Sequence, residues 1–329
     1  MTRHGATKGI KGVTGVTALR NKYGSFSTVS AGSGGASNVG VAGYVAGGHD
    51  GIGFVSNINT IAFPADTRTV LSATLATARY GPTGFANSAV AGYVAGGYDG
   101  SYLAAIDKIT FPANTRTTVS AVLGGGRYLP TSFANSGVAG YVGGGEDATT
   151  NHTSMFKMSL PAETITTLGI TLSFTATHSG GLANEGTAGY KLGGNNNISS
   201  INKIAFPADT MTTLSATLTT GRQAMAAFSN NAVAGYAAGG GDSVGYLSGI
   251  DKITFPADTK TTLSATLSSA RQNFSGFANS GVAGYAAGGS PFTTAIDKVA
   301  FSADTVTTSS ATLSSNRNNY AAFANSGIL

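Results

Sequence analysis

From about residue 39 onward the apolar and polar positions follow one scheme six times, and the fifth copy serves as its template. Val233-Ala234-Gly235-Tyr236-Ala237-Ala238 is an apolar run of small residues that ends at Gly239-Gly240. Ile250-Asp251-Lys252-Ile253-Thr254-Phe255 alternates in the period-two manner of a strand. Pro256-Ala257-Asp258-Thr259 has turn chemistry, because proline presets φ and aspartate bonds the backbone ahead. In the next piece Leu263, Ala265 and Leu267 face one way and the hydroxyl residues the other. Arg271 then leads into an apolar piece around Phe277, and Asn279-Ser280-Gly281 turns into the next copy. Each copy therefore predicts four short strands, and no helix is predicted.

The copies keep a fixed period. Tyr44, Tyr93, Tyr141, Tyr190, Tyr236 and Tyr285 follow one another at intervals of 46 to 49 residues. A period of that size marks a repeat architecture, and four antiparallel strands per period describe a propeller blade. The expected fold is all-β: a six-bladed β-propeller over residues 39–329, preceded by an irregular N-terminal arm over residues 1–38. The phase of the repeat predicts how the ring closes. The innermost piece recurs at Phe85, Phe133, Leu182, Phe228, Phe277 and Phe323. Before the first Gly-Tyr strand only a weak imitation stands, Ala36-Ser37-Asn38, while the spare copy lies at the C-terminus. Residues 318 to 327 are thus expected to supply the innermost strand of the first blade and remove its open edge.

Composition adjusts this picture in two places. Hydrophobic residues make up 41% and charged residues 10% of the chain, enough for a packed core despite 48 glycines. There is no cysteine and no 18-residue apolar run, so neither disulfides nor a membrane-spanning helix is expected. Met1-Thr2-Arg3-His4 opens no apolar signal region, which fits synthesis in a cytoplasm without a signal peptide. The net charge of +5 has a location: Arg3, Lys8, Lys11, Arg20 and Lys22 precede the first acid, Asp50. The remaining 14 cations balance 14 acids, so the repeat body is neutral and the arm is basic. Nucleic acid is accordingly not the expected partner. The arm is read as an anchor, with Val13, Val16, Leu19 and Tyr23 entering grooves on another subunit while its cations meet acids at the rim.

The pattern Arg271, Phe277, Tyr285, Gly288-Gly289, Ile296-Asp297-Lys298 and the strand at 308–313 resembles kelch repeats, though this chain has no tryptophan. The near-copied, low-charge Ala/Gly/Thr/Ser texture is also similar to propeller components of bacteriophage tails and fibres. That resemblance implies a virion structural protein in a multi-copy assembly, docked to other virion proteins by its arm and displayed for attachment to host-surface glycans. A glycan-binding lectin is the second reading and a propeller enzyme the third.

Candidate chemistry sits where the scheme is interrupted. Arg79, Arg127, Arg222, Arg271 and Arg317 open the innermost pieces, with His178 at the junction before the fourth blade. The kelch likeness puts that junction on the face of the variable loops, where a ring of cations would bind a carboxylate, a phosphate or an acidic glycan. The plainer alternative is that each arginine bonds loop carbonyls of its own blade. Asp107, Asp251 and Asp297, each followed by lysine, read as cross-strand or edge devices. Asp66, Asn114, Glu163, Asp209, Asp258 and Asp304 read as turn formers; a single acid per turn does not make a calcium site, and no metal or cofactor is expected.

The loops after the double glycines differ from one another and are the expected place of recognition. They carry His49-Asp50, Tyr98-Asp99 with Tyr102, Glu146-Asp147 with His152, Asn195-Asn196, Asp242 with Tyr246, and Phe292. Flat rings and planar polar groups suit sugars; unselected drift is the alternative. The four histidines, His4, His49, His152 and His178, are scattered, and no G-x-S-x-G elbow precedes a predicted helix, so an enzyme is not expected.

Overall fold

The computed structural model describes residues 41–175 and 177–326. The basic arm and its apolar anchors, from Arg3 to Tyr23, lie outside the described residues. The described chain is a six-bladed β-propeller of four-stranded antiparallel blades. The first blade holds β1 (Ala42–Ala46), β2 (Asn57–Ala62) and β3 (Thr67–Thr74). The second holds β4 (Thr83–Asn87), β5 (Ala91–Ala95), β6 (Ile106–Thr110) and β7 (Arg116–Thr118). The third holds β8 (Thr131–Asn135), β9 (Ala139–Gly143), β10 (Ser154–Ser159) and β11 (Ile165–Thr171). The fourth holds β12 (Gly180–Asn184), β13 (Ala188–Leu192), β14 (Ser200–Ala205) and β15 (Thr210–Thr217). The fifth holds β16 (Ala226–Asn230), β17 (Ala234–Ala238), β18 (Gly249–Thr254) and β19 (Thr259–Thr266). The sixth holds β20 (Ser275–Asn279), β21 (Ala283–Ala287), β22 (Ile296–Ala300) and β23 (Thr305–Thr308). The last strand, β24 (Ala321–Ala324), pairs antiparallel with β1, Phe323 opposite Tyr44, and completes the first blade as its innermost strand. No helix among the described residues is long and apolar enough to cross a membrane.

The Ala-Gly-Tyr motif is the joint between blades. Consecutive residues of a strand face opposite sides, so glycine looks back to one neighbouring blade and tyrosine forward to the other. Phe277 of the sixth blade lies on Gly43 of the first, Phe323 on Gly92, Phe85 on Gly140, Phe133 on Gly189, Leu182 on Gly235 and Phe228 on Gly284; a methyl group at any of these glycines would overlap that side chain. Tyr285 runs the other way, stacking on Phe277 of its own blade and on Phe63 of the next, with ring centroids 5.1 and 4.9 Å apart. Phe277 and its equivalents are fully buried. Burying each contributes on the order of 2–3 kcal/mol.

Beyond the rings, the hydroxyl of each of the six motif tyrosines donates to the turn of the next blade: Tyr44 to Asn114, Tyr93 to Glu163, Tyr141 to Asp209, Tyr190 to Asp258, Tyr236 to Asp304, and Tyr285 to Asp66. These turn residues hold left-handed φ angles of 52–55°, which Asp and Asn tolerate better than most residues. Five of the six turn side chains also meet the third-strand lysine of the preceding blade, as in Lys203–Asp258 at 2.6 Å and Lys298–Asp66 at 2.7 Å. The turn formers therefore have a second task that reading each repeat by itself did not show. Burial, reinforced by the carboxylate, pushes the Tyr190 hydroxyl well above its ordinary range and keeps it protonated as a donor.

Candidate functional site

The arginines lie inside the blades. Arg79, Arg127, Arg222, Arg271 and Arg317 are all at most 5% exposed. Arg79 Nη2 donates to Asp107 at 2.7 Å and its Nη1 to the Gly96 carbonyl; Arg222 treats Asp251 and Gly239 in the same way. Arg271 pairs with Asp297 at 2.9 Å. Where the aspartate is replaced, Arg317 donates to the Asn57 side chain and carbonyl, and Arg127 lies over Phe156 at 5.2 Å. The plainer reading thus describes their geometry: they bind groups of their own blades and form no exposed cationic ring. Asp107, Asp251 and Asp297 are the buried anchors of these arginines, and each also accepts an amide from the lead-in, Ala76, Thr219 and Ser268 respectively. Aspartate and the following lysine point to opposite faces, so each such pair serves two different joints.

The residue two beyond each arginine position adopts positive φ: Gly81, Leu129, His178, Ala224, Asn273 and Asn319. Their amides and carbonyls form a closed ring of backbone hydrogen bonds around the axis, from Gly81 to Asn319, Asn273, Ala224, His178, Leu129 and back to Gly81. Burial pushes the His178 imidazole down to about 4, so it stays neutral at ordinary pH. The axial cavity beneath this ring holds about 80 Å³ and is lined by residues such as Thr131, Ser179 and Tyr320. The residue before each ring position pairs with the start of a variable loop, as Tyr80 does with Tyr98, Tyr128 with Glu146, and Asn318 with His49. That pairing holds the loops rigidly over the blades.

On this loop face, off the axis, His49, Phe54, Tyr80, Tyr98, Tyr102, Tyr128, Phe292 and Asn318 line a cleft of about 510 Å³. Its rings form one contiguous set. Phe54 stacks on Tyr80 at 5.7 Å and 9°; Tyr80 reaches Tyr128 at 5.4 Å, Tyr98 meets Tyr102 at 5.2 Å, and His49 meets Phe292 at 5.9 Å. The Tyr80 and Tyr128 hydroxyls share a hydrogen bond, and Asn319 Nδ2 donates to Tyr80. Burial, with Tyr80 beside it, raises the Tyr128 hydroxyl far above its ordinary value. Among the described residues, no Lys, Arg, Asp or Glu side chain lines the cleft. Such a site offers flat apolar faces with hydroxyl, imidazole and amide groups at their edges. Its volume falls within the roughly 300–1,000 Å³ of small-molecule sites.

Of the loop residues singled out in the sequence, His49, Tyr98, Tyr102 and Phe292 converge in this cleft. The acids beside them shape their own loops. Asp50 accepts the Ile52 and Gly53 amides, which hold its carboxyl below the usual range, and Asp99 accepts the amide and hydroxyl of Ser101. Asp147 binds Thr149, Thr150 and His152, and Asp242 binds Val244 and Gly245. Asn195 accepts the Asn196 amide. Burial raises the Glu146 carboxyl. Tyr246 is half exposed and does not line the cleft. Phe54, Tyr80, Tyr128 and Asn318 were not anticipated. A signal existed for two of them: the residue after the arginine is aromatic only as Tyr80 and Tyr128, at the starts of adjacent blades.

Neither a protein-family model nor a curated protein matches the chain.

Proposed function

We propose that the chain is a non-enzymatic recognition propeller that binds an uncharged saccharide in the aromatic cleft. The cleft itself carries this reading: stacked and tilted rings with polar edges, assembled from segments of four neighbouring blades, and no charged side chain in its described lining. Sugar C–H faces pack on such rings, while hydroxyl, imidazole and amide edges bond sugar hydroxyls. The basic segment 1–38 docks the propeller into a larger particle, in the manner of a phage tail component, and host-surface glycan is the ligand. What supports that half is the location of the positive charge and the kelch-like, near-copied repeats.

A glycan array with the full chain tests it. Tyr102→Ala and Phe292→Ala should each lower binding by about two- to tenfold, the loss expected when one stacked ring is removed, with an unchanged melting temperature. Tyr246→Ala, outside the cleft, should bind as the parent does. An array without signal, or equal losses at Tyr102 and Tyr246, overturns the reading.

A further inference from the structure

The fourth blade differs from the other five at one buried spot. In sequence Ala176 stands where the others place their lead-in arginine. Asn202 stands at the third-strand aspartate position, and Lys191 at a second-strand position that is Val45, Val94, Val142, Ala237 or Ala286 elsewhere. Lys191 is fully buried, and its Nζ has no hydrogen-bond partner among the described residues. Asn202 does not serve it, since its amide is engaged by Ser173 and Thr213. The ammonium has the Phe174 ring as a favourable neighbour, at 5.9 Å.

The second glycine of each double-glycine pair probes the same place in the blades. Beside Gly97, Gly240 and Gly289 lie the arginine Cδ atoms of Arg79, Arg222 and Arg271, at 3.2, 3.5 and 3.3 Å from the Cβ position, together with Cβ atoms of Pro82, Met225 and Phe274. Beside Gly194 that apolar wall is gone. Its Cβ position meets Ser179 Oγ at 2.7 Å, the Thr177 carbonyl at 3.2 Å and Lys191 Nζ at 3.5 Å. Ser179 Oγ is buried without a partner too, and the Thr177 carbonyl already accepts the Asn195 amide. An ammonium and a hydroxyl thus lie unpaired side by side at Gly194, and among the described residues no acid pairs with them.

We infer that this spot is a binding site for a single-atom monovalent anion, a halide, held by Lys191 Nζ and the Ser179 hydroxyl. The donor set decides the sign, because ammonium and hydroxyl hydrogens all point to an acceptor and a buried uncompensated charge is costly. Water would satisfy the donors and leave the charge. The charge decides the class, since one ammonium with no acid beside it is neutralised by one negative charge, and a single-atom anion needs the least room to reach it. Burial pushes the Lys191 amine down to about 8, as a lone ammonium should behave; a bound anion would restore its charge.

Crystals of the full chain soaked in bromide should show an anomalous peak beside Lys191 Nζ. In solution at constant ionic strength, bromide or chloride replacing gluconate should raise the melting temperature saturably. Lys191→Met, which fits a position apolar in the other blades, should lose both signals, and Ser179→Ala should weaken the halide midpoint about tenfold, the loss of one charge-assisted hydrogen bond. Absence of the peak overturns the inference, as does a halide response that survives in Lys191→Met. Should Lys191→Met fail to fold, the Ser179→Ala midpoint and the bromide map still decide.

Discussion

The two faces of the ring are built by opposite rules. On the turn face the same tyrosine, turn residue and lysine meet at almost every joint, and Tyr190–Asp258–Lys203 could be exchanged for Tyr236–Asp304–Lys252 without change of chemistry. On the loop face the aromatic residues of the cleft gather in blades six, one, two and three, although the backbone ring beneath them is regular all the way round. Repeated residues in this molecule hold the blades and their joints together, and unrepeated ones line the cleft. Lys191 is an unrepeated residue inside a blade: it interrupts the pattern, and at that interruption donors are left without partners.

The comparison is broken most severely by removing a joint outright. Deleting residues 318–329 takes away β24, the partner of β1, and with it Phe323, on which Gly92 and Tyr44 pack. The shortened chain should not persist as a folded monomer, because the first blade keeps an open edge. Size-exclusion chromatography and circular dichroism would read the loss; an unchanged monomer with an unchanged melting temperature would show that the ring does not depend on β24.

An interruption can be tested by pH. The Lys191 amine is lowered by burial from 10.5 to about 8. Below about pH 8 both folded and unfolded chains carry its proton, and the cost of burying the charge is full. Between about 8 and 10.5 the unfolded chain holds a proton that the folded chain has released, so stability rises with pH. In halide-free buffer the parent should gain about 3 kcal/mol relative to Lys191→Met across that window, and saturating bromide should shrink the gain. Denaturant titrations of both proteins at the two ends would measure it; parallel curves would mean that the ammonium is solvated in the folded chain.

What could be read from residues alone follows the same division. The blade count, the strand phase and the closing strand were legible because each depends on a pattern that recurs, so an error in one copy is corrected by five others. Phe54 and Asn318 were not legible, since they belong to the cleft only once blades six, one, two and three are brought round the ring. Arg79 was visible as a repeated cation but not as a buried one, because its partner Asp107 lies 28 residues further on and only the folded register joins them. Lys191 stood in plain view as Ala-Gly-Tyr-Lys-Leu among copies with valine or alanine at that place. Its meaning needed the polar atoms gathered beside Gly194.

The smallest effect concerns the one joint where the latch is neutral. Register places Thr60 opposite Tyr44, where Lys108, Lys157, Lys203, Lys252 and Lys298 stand opposite their tyrosines. The turn it faces carries Asn114 in place of an acid, and Tyr44 still donates to it at 2.8 Å. Lysine and acid are thus missing together, as expected if each is useful only with the other. Installing both, Thr60→Lys with Asn114→Asp, should add the missing ion pair. Such pairs at partly exposed sites contribute about 0–1 kcal/mol, so a double-mutant cycle in urea should return a favourable coupling of about 0.5–1 kcal/mol while each single change is neutral or harmful. The carboxylate introduced by Asn114→Asp would also push the Tyr44 hydroxyl above its present value of about 12, which burial alone sets. A coupling of zero would mean that the lysines on the turn face are solvated passengers and that tyrosine and turn alone hold the blades together.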